Sequence, residues 1–279
     1  MNKIALVLEG GAFRGIFTAG VIDSFIDHNV NFDYVLGVSA GAINTFAYVG
    51  KHRGLMRKCI MESDKRDFVG LKQIKDSHVY INLQNIFYDY FDECGFDFNS
   101  FVNSDIYWEM VTTNVETGQA EYMHTVNIDE VRLIATASCS MPILTKPVKF
   151  NNKIYLDGGV ADSIPIKHAL DKGYEKVVVV CTRRKGSYSK LKDAEKPIYK
   201  HLYSKYPNFI DTAFSRTESY KEEVELCERL DAEGKIILIR PTLPEVGRLE
   251  TNLDELSLAY YHGYTKADEY INKIKNWLV

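Results

Sequence analysis

Short runs of consecutive apolar residues alternate along the chain with longer stretches whose apolar residues recur every three or four positions. The first pattern is typical of buried strands and the second of amphipathic helices. The predicted strands are residues 4–8, 34–37, 107–115, 120–124, 153–156, 176–181 and 235–240. The predicted helices are residues 15–26, 40–48, 128–137, 165–172, 208–232 and 253–277. This alternation predicts an α/β fold with a mostly parallel central sheet flanked by helices.

A glycine-rich turn lies between the first predicted strand and the first predicted helix. It comprises Gly10, Gly11, Ala12, Phe13, Arg14 and Gly15. Glycines at such a turn let backbone N–H groups point at a negative oxygen, and the helix N-terminus adds a favourable partial charge. A phosphate-binding loop would need lysine after Gly15, where Ile16 stands. A dinucleotide-binding turn would need glycine in place of Ala12 and an acidic residue after the second strand, so neither nucleotide motif is complete.

The second predicted strand ends in a segment with a serine at its centre. Gly37, Ser39 and Gly41 match the Gly-x-Ser-x-Gly pattern of a nucleophile elbow, and the match falls between a strand and a helix, as the pattern requires. The serine of such a turn has a strained backbone, so its neighbours two places away must be small. We therefore predict that Ser39 is a nucleophile whose hydroxyl projects from the turn.

A nucleophilic serine needs a proton acceptor, which is most often a histidine. The chain has seven: His28, His52, His78, His124, His168, His201 and His262. None lies in a recognisable motif, and a surface or structural role is the simpler interpretation for each. Asp157 is the better candidate, because it follows a predicted strand and should reach the carboxyl edge of the sheet, where open α/β folds bind ligands. Gly158 and Gly159, which come next, allow close approach of the backbone.

Taken in chain order, the glycine-rich turn, the Ser39 elbow and the segment beginning at Asp157 resemble the patatin-like phospholipase family. The resemblance covers about residues 4–182, and residues 157–166 and 241–264 look like the bacterial branch of that family. It implies a three-layer patatin-like fold. It also implies that residues 1–279 form one acyl hydrolase domain, in which residues from about 205 to 279 complete the motif-bearing core.

The resemblance further implies a serine acyl hydrolase of the lipase or phospholipase type that forms an acyl-enzyme intermediate. Ser39 would be the nucleophile and Asp157 the general base of a catalytic dyad, with no metal and no cofactor. The backbone amides of Gly10, Gly11 and Ala12 would form the oxyanion hole. The other motif positions are Arg14, Gly15, Gly37, Gly41, Gly158 and Gly159. Ala12 stands where the family usually has a third glycine, so a positive φ there would strain the loop.

Two other functions are compatible with the same residues. One is a serine esterase of the α/β-hydrolase type that depends on His168, His201 or His262 instead of Asp157. The other is a non-catalytic module that binds a lipid or a nucleotide on the same fold, and Ala12 in the glycine-rich turn is its best support.

Composition narrows the class of protein and its surroundings. With 46% hydrophobic and 26% charged residues, the chain of 279 residues is not a disordered one. A net charge of −4 gives no general attraction to nucleic acid, and no protein partner is predicted. Five widely spaced cysteines without a CxxC pair indicate reduced thiols. The apolar runs are too short for a membrane span or a signal peptide. We expect a cytoplasmic protein whose membrane contact, if it has one, is peripheral and on the inner face.

Two segments bear on the substrate. Aromatic residues crowd residues 87–101, where they could line an acyl-chain channel or cover, although core packing is the simpler interpretation. Residues 183–205 hold eight basic side chains against Asp193 and Glu195. Such a segment could rest on an anionic bilayer, or its charge could be neutralised by the acidic predicted helix around residues 218–233. The substrate class that the sequence predicts is a lipid or a small ester.

Overall fold

The computed structural model describes residues 3–61, 69–188 and 191–278, within which eight strands form a single sheet. The strands are β1 (Ile4–Leu8), β2 (Tyr34–Val38), β3 (Tyr107–Asn114), β4 (Ala120–Met123), β5 (Val148–Phe150), β6 (Lys153–Asp157), β7 (Lys176–Val180) and β8 (Ile236–Ile239). Their order is β5-β6-β3-β2-β1-β7-β8, with β4 paired to β3. Strands β3, β2, β1, β7 and β8, which are neighbours in this order, are all parallel. Strands β4 and β6 pair with β3 in the antiparallel sense, and β5 pairs with β6 in the same way. The predicted mostly parallel sheet is confirmed.

Helices cover both faces of this sheet. They are α1 (Gly15–Asp27), α2 (Ala40–Val49), α3 (Leu55–Met61), α4 (Leu71–Ser77), α5 (Phe91–Glu93), α6 (Phe98–Val102), α7 (Ile128–Ser138), α8 (Ile166–Asp171), α9 (Lys196–Leu202), α10 (Pro207–Ala232), α11 (Leu253–Asp268) and α12 (Ile271–Leu278). Short 3-10 turns at Ala12–Arg14 and Gly158–Val160 follow β1 and β6, and a π-helical segment, Asn85–Tyr90, leads into α5.

The first strand shows why the sheet needs both helical layers. Side chains of a strand point alternately to opposite faces, and every residue of β1 is buried. Ile4, Leu6 and Leu8 pack in a core with α1, α2 and α11, whereas Ala5 and Val7 pack in a second core with α8 and α10. A strand that is apolar throughout therefore lies between two layers of helices, and the predicted three-layer α/β class is confirmed.

The fold bears on two sequence expectations, the role of the aromatic stretch and the extent of the last predicted helix. The aromatic stretch belongs to the core, since Phe87, Phe91 and Phe101 are fully buried and Phe46 stacks against Phe101 at 4.6 Å between ring centroids. The single helix predicted over 253–277 is wrong: α11 and α12 are separated at Tyr270, whose amide donates to Ala267 three residues back. Residues 62–68, which precede the aromatic stretch in the chain, lie outside the described residues.

The basic segment is partly neutralised, mostly by acidic residues elsewhere in the chain. Lys185 contacts Glu228 of α10 at 3.2 Å, and Arg184 contacts Glu245 at 3.5 Å. Residues 189 and 190 of this segment lie outside the described residues. Within the part of the chain that is described, no helix has the length and apolar character needed to span a membrane.

Candidate active site

Ser39 occupies a sharp turn between β2 and α2, as the elbow pattern predicts. Its φ of 53° and ψ of −117° lie outside the regions that a serine ordinarily adopts. The flanking glycines are required by close packing. A Cβ atom on Gly41 would lie 2.3 Å from the Leu8 carbonyl oxygen, and one on Gly37 would lie 2.5 Å from the Gly41 carbonyl oxygen. The strained serine is therefore held in place by neighbours that cannot carry a side chain.

Asp157 meets Ser39 at the carboxyl edge of the sheet. The Ser39 hydroxyl donates to Asp157 Oδ2 at 2.7 Å, and each residue is only 6% exposed. The strand direction differs from the one that the sequence argument assumed. Strand β6 runs antiparallel to β3 and pairs with the end of β3 that extends past the parallel strands, which puts Asp157 opposite Thr112. The aspartate thus reaches the expected edge from outside the parallel sheet.

Further hydrogen bonds hold the two residues in position. Asp157 Oδ1 accepts from the Gly159 amide at 2.8 Å, and the Asp157 carbonyl accepts from the Thr113 hydroxyl at 2.8 Å. The Ser39 amide donates to Ser138 Oγ at 3.0 Å. Sequence reasoning missed Thr113 and Ser138, because neither belongs to a motif and each is brought to the site by a different element.

The two glycines after Asp157 allow the chain to pass close to other groups. A Cβ atom on Gly158 would lie 2.2 Å from the Val111 carbonyl oxygen. One on Gly159 would lie 3.1 Å from Asp157 Oδ1 and 3.3 Å from an Nη atom of Arg216, a residue of α10. The absence of a side chain at Gly159 therefore leaves space for the Arg216 guanidinium group beside the carboxylate.

Burial changes the proton affinity of Asp157. Loss of solvent raises the pKa of this carboxyl above its ordinary value, against the opposing effects of the Arg216 charge, the Ser39 hydroxyl and the Gly159 amide. A carboxylate with a raised pKa is a stronger base than a solvated one. The neighbouring cation and the two hydrogen-bond donors favour the charged form, which is the form that accepts the Ser39 proton.

The glycine-rich turn approaches Ser39 from β1. A Cβ atom on Gly10 would lie 3.3 Å from the Ser39 Cβ atom, so the turn and the elbow are in contact. The Gly10 amide already donates to the Ser163 carbonyl at 3.4 Å. For the amides of Gly11 and Ala12, no acceptor is found among residues 3–61, 69–188 and 191–278. Two of the three proposed oxyanion donors therefore have N–H groups available for a ligand.

Three other residues of the glycine-rich turn, Ala12, Gly15 and Arg14, differ in backbone conformation and surroundings. Ala12 has a φ of 50°. This positive φ is the strained conformation that was considered for an alanine at a position where the family usually has glycine. Gly15 begins α1, and a Cβ atom on it would lie 2.6 Å from the Ala40 Cβ atom. The Arg14 amide donates to the Gly11 carbonyl at 3.2 Å, and its side chain lines a cavity together with Arg183, Arg216 and Arg248.

Ser39 opens on two cavities of opposite character. The apolar cavity is narrow, about 50 Å³, and its lining includes Ile43, Met56, Ile86 and Leu249. The polar cavity, about 60 Å³, is lined by Asp157, the glycine-rich turn, Arg216 and Arg248. A larger cavity of about 470 Å³ lies between residues 77–88 and 133–149 but touches neither Ser39 nor Asp157, so its size does not make it the site.

The three histidines considered as alternative bases have other surroundings. His168 Nε2 lies 2.9 Å from Glu109 Oε2, and its ring stacks on Tyr122. His262 lies 3.0 Å from the Thr242 hydroxyl, and His201 is exposed on α9. Neither cavity at Ser39 includes a histidine among its described lining residues.

Two family models match different parts of the chain. Residues 6–170 match the patatin-like phospholipase family, and residues 206–279 match a domain of unknown function, DUF6363. We call these the N-terminal and C-terminal matched segments. The N-terminal segment holds Ser39 and Asp157, whereas Arg216 and Arg248 belong to the C-terminal segment.

Several known proteins are similar to this chain. An uncharacterized protein of Escherichia coli strain K12, YjjU, is 31% identical over 196 residues, which cover 65% of this chain and 52% of that protein. Lysophospholipase NTE1 of Meyerozyma guilliermondii is 24% identical over 311 residues, covering 99% of this chain and 20% of that protein. Lysophospholipase nte1 of Emericella nidulans is 26% identical, covering 99% and 18%. The chain thus spans about half the length of the first relative and about a fifth of the other two.

A solved structure gives the same picture for the fold. The crystal structure of VipD from Legionella pneumophila superposes with a TM-score of 0.53 at 13% identity, covering 98% of this chain and 67% of that one. At this identity the likeness concerns the fold alone. The match to residues 6–170 covers more than half of the chain and includes both the serine elbow and the aspartate. This chain belongs to the patatin-like phospholipase family, a family of lipid acyl hydrolases.

Proposed function

We propose that this protein is a serine acyl hydrolase that cleaves carboxylic esters of lipids through a Ser39–Asp157 dyad. The observation that carries the proposal is the 2.7 Å hydrogen bond from the strained Ser39 hydroxyl to the buried Asp157 carboxylate. The fungal relatives are named lysophospholipases, so a lysophospholipid is the first substrate to test.

Acylation begins at the hydrogen bond between the two residues. Asp157 takes the hydroxyl proton of Ser39 while Oγ attacks the ester carbonyl carbon. The negative charge that develops on the carbonyl oxygen is stabilised by the amides of Gly11 and Ala12. Each such donor is worth about 2.7–4 kcal/mol in the transition state. The C–O bond to the alcohol then breaks, and the proton on Asp157 passes to the departing oxygen.

Deacylation uses the same groups with water in place of the alcohol. Asp157 accepts a proton from a water molecule whose oxygen attacks the acyl carbon, and the same amides stabilise the oxyanion. The Ser39 oxygen leaves and recovers the proton. The carboxylic acid product departs, and no metal or cofactor takes part in the proposed steps.

We propose further that both matched segments belong to one catalytic domain. Strand β8 pairs with β7 in the same sheet as β1 and β2. The Phe13 amide donates to the Arg248 carbonyl at 3.2 Å, which joins the glycine-rich turn to the C-terminal matched segment. Leu249 also lines the apolar cavity at Ser39.

The decisive experiment combines covalent labelling with turnover. A fluorophosphonate probe should label the wild type at Ser39 and should fail to label Ser39→Ala, and hydrolysis of a lysophospholipid should fall to background in that variant. Ser257→Ala, a substitution on α11, is the matched control and should keep both properties. Equal labelling or equal turnover in wild type and Ser39→Ala would refute the proposal.

A second comparison separates the dyad from a histidine-dependent esterase. Asp157→Asn keeps the shape of the side chain but removes the base, and we expect turnover to fall by at least about 10²-fold. His168→Ala, His201→Ala and His262→Ala should each retain turnover. Loss confined to one of the histidine variants would favour the histidine-dependent mechanism instead.

A further inference from the structure

Four arginines form a cationic cleft beside the proposed catalytic pair. We call this group, Arg14, Arg183, Arg216 and Arg248, the arginine cleft. All four line a cavity of about 550 Å³. Arg14, Arg216 and Arg248 also line the polar cavity that contains Ser39 and Asp157, so the cleft is continuous with the site. Two of its members come from the C-terminal matched segment, to which no function is assigned.

The basic side chains that line the 550 Å³ cavity outnumber its acidic ones. Among the described residues, Arg183 is the member with a recorded ion pair, at 4.0 Å to Glu245, the outer limit of such a contact. The Nε atom of Arg14 is buried and has no hydrogen-bond partner in the described structure. The acidic residue lining the 550 Å³ cavity is Glu195. The lining of this cavity therefore holds the four arginines and Lys192 against one carboxylate, and Asp157 lies in the adjoining polar cavity.

Burial and neighbouring cations both act on Arg14. Burial, followed by the charge of Arg183, lowers the pKa of Arg14 to about 10, against the opposing charge of Glu9. Placing cations next to one another in a partly buried site is costly unless an anion joins them. The arrangement is therefore one that an anionic ligand would stabilise.

The position of Ser39 indicates what kind of molecule carries that anion. Its apolar cavity is lined by Ile43, Met56 and Leu249, and the arginine cleft leads away from the polar cavity that Ser39 also lines. An ester bond at Ser39 would thus have an apolar surface for its acyl chain on one side and arginines for an anionic group on the other. One guanidinium group can donate two parallel hydrogen bonds to two oxygens of a phosphate. Several guanidinium groups together supply donors for the remaining acceptor positions of the phosphate.

We propose that the arginine cleft binds the phosphate of a phospholipid head group and that Arg216 and Arg248 set the preference for phosphate-bearing esters. The C-terminal matched segment would then supply substrate specificity to a reaction carried out by the N-terminal one. This inference rests on the proposed hydrolysis at Ser39, so its test needs one measurement that does not depend on turnover.

The kinetic test compares two lipids with the same acyl chain, lysophosphatidylcholine and monoacylglycerol. In Arg216→Gln and Arg248→Gln we expect kcat/KM for the phospholipid to fall at least about tenfold, the loss expected when a charge-assisted hydrogen bond is removed. The loss for the neutral lipid should be several-fold smaller, because any effect of these residues on the Asp157 base is common to both lipids. Arg216→Lys and Arg248→Lys should recover part of the loss. Arg229→Gln, an exposed position on the same helix as Arg216, is the control and should change neither value.

Two precautions keep this comparison interpretable. Measurement on the pH plateau above the acid limb keeps Asp157 ionised in every variant, and the comparison of two lipids cancels the effect of Arg216 on the strength of the base. Retained fluorophosphonate labelling shows that each variant is folded at Ser39. Equal losses for both lipids, or no loss for the phospholipid, would overturn the proposal.

The binding test uses Ser39→Ala and no turnover. Glycerol 3-phosphate should raise the melting temperature of this variant, glycerol should not, and the rise should disappear when Arg248→Gln is added. Glycerol 3-phosphate should also compete with lysophosphatidylcholine in the wild type. A rise with inorganic phosphate alone, without such competition, would assign the cleft to free phosphate and overturn the head-group proposal. If the wild type hydrolyses neither lipid, the proposed function fails, and this binding test still decides the role of the cleft.

Discussion

Gly263 of α11 lies so close to α1 that a Cβ atom on it would be 2.0 Å from the Phe17 carbonyl oxygen. A Cβ atom on Gly20 of α1 would likewise lie 2.0 Å from the Tyr260 carbonyl oxygen. The backbones of the two helices are therefore in direct contact, and each helix has a glycine at the point of contact. Because α1 begins at the end of the glycine-rich turn, a helix of the C-terminal matched segment supports the loop that holds the proposed oxyanion donors.

We expect Gly263→Ala to destabilise the whole protein. The added methyl group has no space between the helices, and overpacking of this kind costs about 1–3 kcal/mol or more. The free energy of unfolding should therefore fall by at least about 2 kcal/mol, and the fraction labelled at Ser39 should fall with it. Gly247→Ala is the control, because the nearest atom to its Cβ would be 3.4 Å away. Loss of α11 packing with full labelling at Ser39 would show that the segments are independent.

Arg216 should control the pH at which activity appears. The ordinary pKa of an aspartate is about 3.8, burial raises that of Asp157, and the Arg216 charge opposes the rise. Activity requires the ionised carboxylate, so it should increase as pH rises through the pKa of Asp157. In Arg216→Gln that pKa rises further and the acid limb of kcat/KM moves to higher pH, whereas Arg216→Lys should move it little. A neutral ester is the appropriate substrate, and a limb that stays in place or moves to lower pH would contradict this.

Replacement of Ala12 by glycine should lower the free energy of unfolding less than replacement of an alanine inside a helix. Its φ of 50° is costly for a residue with a side chain and not for glycine. Ala12→Gly should therefore leave the free energy of unfolding unchanged or raise it by up to about 1 kcal/mol, even though glycine gives the unfolded chain more freedom. Ala259→Gly, inside α11, is the comparison and should cost about 0.5–1 kcal/mol. Similar losses in both variants would mean that the loop is not strained at Ala12.

Glu223 should make the protein less stable as the pH rises. This buried residue of α10 accepts from the Ile164 amide at 2.9 Å and lies beside Asp162. Burial, together with the Asp162 charge, raises the pKa of Glu223 well above its ordinary value of 4.5. The folded state therefore keeps a proton that the unfolded state loses above about pH 4.5. Its stabilising effect is complete below that pH and is lost as the pH rises towards the folded-state pKa.

Glu223→Gln resembles the protonated side chain and cannot ionise. The variant should be close to the wild type in acid and should become relatively more stable as the pH is raised, as measured by chemical denaturation at several pH values. Exposed Glu222, the neighbouring residue on α10, provides the control Glu222→Gln, which should show no such trend. A difference between variant and wild type that does not grow with pH would contradict the raised pKa.

Much of the sheet could be predicted from local patterns. Strands such as β1 and β7 are short and apolar throughout, a pattern typical of strands covered on both faces. The elbow at Ser39 could be predicted too, because its geometry depends on five consecutive residues. By contrast, the direction of β6 and the division between α11 and α12 could not, since each depends on contacts made after the chain has folded.

The fold class, the family resemblance and the two candidate catalytic residues, Ser39 and Asp157, could all be predicted from the sequence. Strand periodicity and motif spacing are local properties, so they can be read without knowing which residues are neighbours in space. The folded chain was needed to show that the Gly10 amide is engaged, that the amides of Gly11 and Ala12 are available, and that Arg216 and Arg248 line the polar cavity at Ser39. These facts join residues some 200 positions apart, and no local pattern records which side chains the packing of sheet and helices brings together.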